Sequence, residues 1–192
     1  MNKKITIQLG IILLIILITF STYYFFFNKL PIVEENKIIS ENEIGNRIVD
    51  LKYVATDKEN NTYVIISEFG KISDDDQNVL YLDTVKAEIN IQDSGVFLIY
   101  SDRAEYDKVS LNTFFYDNVK LVHEDNIILS NKIFLNYLDK KVKITENVIY
   151  TGNKNKLFAD AVDVDLITKI SKIYMIEDEK KVKVKMVING NN

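Results

Sequence analysis

Between Tyr53 and Ile188 the chain alternates apolar and polar residues with period two, and no stretch of helical period interrupts the pattern. Tyr63, Ile65 and Ser67 alternate with Val64, Ile66 and Glu68; Val85, Ala87, Ile89 and Ile91 alternate with Lys86, Glu88 and Asn90. Ile133, Leu135 and Tyr137 alternate with Phe134, Asn136 and Leu138, and Val182, Val184 and Met186 with Lys181, Lys183 and Lys185. A strand points successive side chains to opposite faces, so each run predicts a strand with one face on a core and the other in water. Turn clusters divide the runs at Asp57–Asn61, Asp74–Asn78, Asp93–Gly95, Asp107–Ser110, Glu124–Asn126, Asp139–Lys141, Gly152–Lys156 and Asp178–Lys180. Repeated hairpins without helical crossovers predict an all-β, antiparallel fold of about ten to fourteen strands. The single proline, Pro31, precedes all of this, so none breaks a strand.

A second regularity lies on top of the first. Ser101-Asp102-Arg103-Ala104 is echoed 29 residues later by Ser130-Asn131-Lys132-Ile133 and again by Ala159-Asp160-Ala161-Val162. Asp117-Asn118-Val119 recurs at the same offset as Glu146-Asn147-Val148. Few residues are identical, but the residue class at each position is kept. A fixed period of this kind marks a unit that stacks on copies of itself, here two strands and two turns.

Ahead of the strands, Ile5 to Phe27 is uncharged and 23 residues long. As a helix it reaches about 35 Å, enough to cross a hydrocarbon core of about 30 Å. Lys3 and Lys4 precede it, and the aromatic cluster Tyr23–Phe27 suits the far interface. The excess of lysine at the first end places residues 1–4 in the cytoplasm and everything after Pro31 outside. Bulky aromatics stand where a cleaved signal peptide needs small residues, so the segment reads as an uncleaved anchor. The expected organisation is a cytoplasmic tail at 1–4, a transmembrane helix at 5–27, a polar linker at 28–46 and a β domain at 47–192.

Charge and composition exclude several classes of function. Three of the 24 basic residues and none of the 28 acidic ones precede Glu34, so the chain from Glu34 onward carries a net charge of −7. That balance opposes nucleic-acid binding, which needs a basic footprint. The absence of cysteine removes disulfides and thiolate metal sites. His123, the one histidine, sits beside the turn Glu124-Asp125-Asn126 and reads as a solvated loop residue with no nucleophile elbow near it. Asp74-Asp75-Asp76 lacks the spacing of a calcium loop and reads as a turn. Asp163 and Asp165 share a strand face; a carboxylate pair suits a glycoside hydrolase, but the pair reads first and foremost as part of a polar outer face. Neither a phosphate-binding loop nor a dinucleotide fingerprint is present. The chain reads as a non-enzyme without cofactor or metal.

The order of these segments carries a resemblance. Asn61-Thr62-Tyr63-Val64-Ile65-Ile66-Ser67, Leu80-Tyr81-Leu82-Asp83-Thr84-Val85-Lys86-Ala87, Ser101-Asp102-Arg103-Ala104-Glu105-Tyr106, Asp117-Asn118-Val119-Lys120-Leu121 and Leu157–Asp165, set behind one apolar span, resemble the LptC family. That family is the bitopic inner-membrane component of the lipopolysaccharide export machinery, related to OstA/LptA-type β domains. The resemblance covers nearly the whole chain and rests on order and spacing rather than on a specific motif. It implies a twisted, boat-like β-jelly-roll whose apolar interior holds acyl chains. It implies an inner-membrane, single-pass protein with a periplasmic C-terminal domain, docked to transporter subunits of LptB, LptF and LptG type and to a soluble LptA-type bridge protein. The partners so implied are lipopolysaccharide and these proteins.

Each CH₂ of an acyl chain left in water costs about 0.8 kcal/mol, so a many-chained lipid crosses an aqueous gap only inside an apolar groove. The inward-facing candidates are Tyr63, Ile65, Val85, Ala87, Phe97, Ile99, Ala104, Tyr106, Val119, Leu121, Ile133 and Leu135. Taken one by one, the same residues suit a closed core better than a lipid contact. At the other end of the chain, the regular last strand carries its lysines on one face. Val182, Val184, Met186 and Ile188 are candidates for an edge at which another chain adds a strand, although such lysines are also a defence against aggregation. Three functions follow: a lipopolysaccharide relay, an anchored adaptor that pairs strand edges without binding lipid, and, more distantly, an anchored carbohydrate hydrolase using Asp163 and Asp165.

Overall fold

The computed structural model describes residues 17–21, 34–39, 42–44, 47–152, 155–177 and 181–186. The chain divides into two units, Met1–Ile32 and Val33–Asn192. In the first, residues 17–21 are helical, and the rest of the expected membrane helix lies outside the described residues. Among the described residues no helix is long and apolar enough to cross a membrane.

Among the described residues, the second unit is one sheet of 12 strands. They are β1 (Glu34–Ile39), β2 (Asn42–Ile44), β3 (Arg47–Thr56), β4 (Thr62–Ile72), β5 (Val79–Ile91), β6 (Gly95–Asp107), β7 (Asn112–His123), β8 (Asn126–Asn136), β9 (Lys141–Gly152), β10 (Asn155–Asp165), β11 (Ser171–Tyr174) and β12 (Lys183–Met186). From β3 to β11 each strand pairs with the next in antiparallel register, so the sheet is a plain meander without Greek-key crossings. Two short strands share each outer edge: β1 and β2 both lie along β3, and β11 and β12 both lie along β10. The turn clusters from Asp57–Asn61 to Asp139–Lys141 fall between strands or at their ends as expected, those at 152–156 and 178–180 lie partly or wholly outside the described residues, and one more turn stands at 166–170, where the sequence Leu166-Ile167-Thr168 hides it. The stretch expected as a linker, 28–46, contains β1 and β2.

One line of defects crosses the whole meander. Asp50, Thr84, Asp117, Asn118, Glu146 and Asn147 all have φ between 51° and 65°. This left-handed region costs a non-glycine residue on the order of 1–2 kcal/mol, and Asp and Asn tolerate it best. The ladders skip a step at the same level: register shifts fall between Tyr100 and Arg103, Tyr116 and Val119, Leu129 and Lys132, and Ala159 and Ala161. Burial shows what the defects do. In β5, Leu80 and Leu82 are buried before Thr84, and Val85, Ala87, Ile89 and Ile91 after it, so the buried face changes parity but not side. The same happens in β6 between Ser101 and Ala104 and in β8 between Ser130 and Ile133. A bulge adds a residue and bends its strand. A row of them in register folds the whole sheet along a crease.

The crease is the physical content of the 29-residue echo. Ser101, Ser130 and Ala159 occupy equivalent buried places on β6, β8 and β10. The serine hydroxyls of the first two donate to the carbonyls of Arg103 and Lys132, two residues on. Arg103 pairs with Asp117 and, 29 residues later, Lys132 pairs with Glu146 at 2.7 Å. These pairs are about half exposed and contribute little energy each; their repetition shows that β6–β7 and β8–β9 are the same structural unit.

Folding along the crease places the two halves of the sheet face to face. The first layer holds the segments running from the crease to the turns at Asp57–Asn61 and Gln92–Ser94. The second runs the other way, to the turns at Tyr137–Lys140 and 166–170. Tyr53 of the first layer packs on Tyr106 of the second with ring centroids 4.6 Å apart, and the Tyr63 hydroxyl lies 2.7 Å from Thr113 Oγ1 across the same gap. Gly70 marks this closeness, since a Cβ there would lie 2.9 Å from Leu51 Cδ1 and that side chain would have to shift. The apolar faces of both layers make one continuous core.

Candidate functional site

All twelve inward-facing candidates come together in this core. Tyr63, Ile65, Ala87, Ile99, Ala104, Tyr106 and Leu135 are inaccessible, and Val85, Phe97, Val119, Leu121 and Ile133 are buried at its margins. At the Asn61 end the two layers are sealed by polar contacts that alternation does not reveal. Lys140 Nζ, on the turn after β8, lies 2.7 Å from Asp57 Oδ2, on the turn after β3. The same ammonium sits 3.4 Å from the centre of the Tyr137 ring. Tyr137 donates its hydroxyl to the carbonyl of Asn61 at 2.8 Å, and the Asn61 side chain accepts from the backbone N–H of Gln92. Burial pushes the Asp57 carboxyl up, but hydrogen bonds from Lys140 and Asn61 together with the lysine charge outweigh it and hold the group below its ordinary range. Aspartate at the start of a tight turn, bonded to the amides of Glu59 and Asn61, is legible as a turn signal. Its partner 83 residues on is not.

Four buried tyrosines line this end. Tyr63 and Tyr137 stack at 5.2 Å and both are hydrogen-bonded. Tyr53 and Tyr106 are fully buried with ring centroids 4.6 Å apart, and their two hydroxyls interact with each other, the contact lowering the Tyr53 phenol and raising that of Tyr106. Burial above all pushes the Tyr53, Tyr63, Tyr106 and Tyr137 phenols up, so all four are neutral.

The other end of the interior is open. A cavity of about 180 Å³ lies between the layers, lined by Phe97, Leu121 and Ile128 of the first and by Val142, Val164 and Leu166 of the second. His123, Asn126, Tyr150 and Ser171 complete its wall. Ile128, Leu157, Val164, Met175 and Val182 are only partly buried against the core here. His123 is therefore not a solvated loop residue. As the last residue of β7 it stacks on Phe97 at 4.0 Å and its Nε2 lies 2.8 Å from the carbonyl oxygen of Ser94, because the β5–β6 turn closes over it.

The remaining candidates separate. Val184 is exposed on β12, Val182 is half-buried, the Met186 backbone pairs with Asn155, and Ile188 lies outside the described residues. The last described strand lies on the edge of the sheet: β12 runs antiparallel along β10 at Asn155–Phe158, end to end with β11 at Ala161–Val164, and pairs with no other described strand. Asp165 accepts the amides of Ile167 and Thr168, and those turn contacts hold its carboxyl below the ordinary range. Asp163 sits on the outer face among Lys141, Lys143 and Lys172. Asp74 pairs with Lys71, and Asp76 accepts the amide of Asn78, as in a solvated turn.

No protein-family model matches the chain, and no curated protein matches it. Among solved structures it is similar to LptH of Pseudomonas aeruginosa, described as the LptA homologous periplasmic component of the conserved lipopolysaccharide transport device. The two share 11% identity over 66% of this chain and 94% of that one, with a TM-score of 0.49. A likeness of that degree carries no functional inference, and function is read from this chain's own geometry.

Proposed function

We propose that this protein is an inner-membrane-anchored, periplasmic carrier that receives lipopolysaccharide from an ATP-driven transporter and passes it to a soluble β bridge protein. The observation that carries the reading is the creased sheet, whose two apolar layers are sealed at one end and part at the other around a cavity. An acyl chain needs such an interior, and a protein that only had to be stable would have no need of a partly buried, apolar mouth. The resemblance of the segment order to LptC supports the same reading, with the transporter partners of LptB, LptF and LptG type on one side and an LptA-type protein on the other. The acidic outer surface is compatible with it if the anionic head of the lipid stays outside the layers.

Photo-crosslinking residues at Ile128 and Val164, in cells, test the reading. Lipopolysaccharide adducts at both positions are expected, and protein adducts alone would overturn it. A second reading is favoured by a different observation: the twelve candidates are packed as tightly as an ordinary core, and β11 and β12 offer outward edges beside β10. On that reading the protein is an anchored adaptor that joins other β domains through its edges. Crosslinks from Val184 to a soluble β protein, with no lipid adduct at Ile128, would select it.

A further inference from the structure

The outer face of the second layer has an aromatic centre where alternation calls for polar residues. Phe114 of β7 is half exposed, and its ring packs against that of Phe134 on β8 with centroids 4.4 Å apart. A hollow of about 600 Å³ opens beside the pair, with Glu105, Tyr116, Lys132 and Lys143 in its wall. The ladder sets these residues in rows. Glu105 pairs in register with Phe114, Phe114 with Phe134, and Phe134 with Lys143, so one row reads acid, aromatic, aromatic, base. Among the described residues neither charge at its ends is in an ion pair. Asp163, next along the row, is shared among Lys141, Lys143 and Lys172 and leaves that end basic. Three strand spacings hold Glu105 and Lys143 about 14 Å apart, so one chain cannot pair them. The neighbouring row is Arg103, Tyr116, Lys132 and Thr145.

We propose that this face joins two copies of the chain in a homodimer whose twofold axis lies in the interface, parallel to β7 and β8 and midway between them. Rotation about that axis reverses each row and keeps its level along the strands. Glu105 of each copy then meets Lys143 of the other, Phe114 meets Phe134, and Tyr116 meets Lys132. Arg103 faces Thr145 and keeps its own Asp117. Both rows match with no like charges opposed, which is the self-complementarity that an isologous contact needs. The axis also keeps the strands of the two sheets nearly aligned, as sheets packed face to face prefer. The exposed Phe114 ring of one copy enters the hollow of the other. The patch is four strands wide and small, so the dimer is weak and reversible. The inference is independent of what fills the interior.

The test is sedimentation velocity of the full chain in a mild non-ionic detergent over a wide range of protein concentration. The wild-type protein is expected to dimerise reversibly. Phe114→Ser, at an exposed position, is expected to weaken the dimer about a hundredfold, since both copies lose a ring. Glu105→Lys alone, or Lys143→Glu alone, is expected to weaken it about tenfold by turning two attractions into repulsions. The double exchange Glu105→Lys/Lys143→Glu is expected to restore it. That rescue distinguishes this interface from association through the apolar N-terminal segment or the strand edges, which none of the substitutions touches. A monomeric wild-type protein would overturn the inference and leave the face to another protein or a lipid. A dimer that Phe114→Ser leaves unchanged, or a double variant no tighter than the single ones, would overturn it as well.

Discussion

The two ends of the interior are made from the same alternating strands and are closed by different means. At the Asn61 end, residues of two turns cross the gap: Asp57 meets Lys140 and Asn61 meets Tyr137. At the Ile128 end Ser94 donates its hydroxyl to the carbonyl of Leu166, which lines the cavity, while Ile128 and Val164 beside it are only partly covered. Strand residues of either end obey one rule of alternation, so the difference between a sealed core and an open mouth lies in which turn residues reach across. A turn residue that reaches across the gap fixes the layers; an apolar strand residue without one leaves them free to part.

The comparison breaks most visibly at Lys140. Lys140→Met leaves the Asp57 carboxylate buried without its partner, and stability is expected to fall by about 3–5 kcal/mol in a urea titration. Loss of under 1 kcal/mol would mean that the ion pair does not hold this end. Truncation inside the two ends sharpens the contrast. Ile65→Ala, in the sealed part, is expected to cost about 2–5 kcal/mol, whereas Ile128→Ala at the mouth should cost less than about 1 kcal/mol because its methyls are already partly in water. Equal losses by chemical denaturation would remove the distinction between the ends.

The crease gives a smaller effect. Asn118 has φ 51°, so Asn118→Val, β-branched and unable to relax there, should destabilise by about 1–2 kcal/mol, while Asn118→Gly should be neutral or better. A valine that costs nothing in thermal unfolding would show that the bulge is not strained. Acid provides the smallest perturbation of the sealed end. The folded-state pKa of Asp57 is depressed, so its stabilisation is complete above the unfolded value of about 3.9 and is lost as pH falls through the lower folded value. Stability measured below about pH 4 should therefore decline more steeply in the wild-type protein than in Asp57→Asn. Parallel pH profiles would contradict the depressed pKa.

The sequence by itself determined the strands, most of the turns and the side of each strand that faces inward, because alternation with period two is a local property of the backbone pleat. Val85 and Ala87, or Ile133 and Leu135, can point only one way once the strand is granted, and all twelve inward candidates did reach the core. The 29-residue echo was legible too, but as a stacking period; that it encodes a crease needed the φ angles of Asp117, Asn118, Glu146 and Asn147 and the broken register beside them. Only the tertiary structure decided which parts of the sheet meet. The Asp57–Lys140 pair, the Tyr137–Asn61 hydrogen bond and the packing of Tyr53 on Tyr106 join residues far apart in the chain, and no local pattern marks them. Their positions follow from folding a sheet on itself, where one angle at the crease sets every contact across the gap.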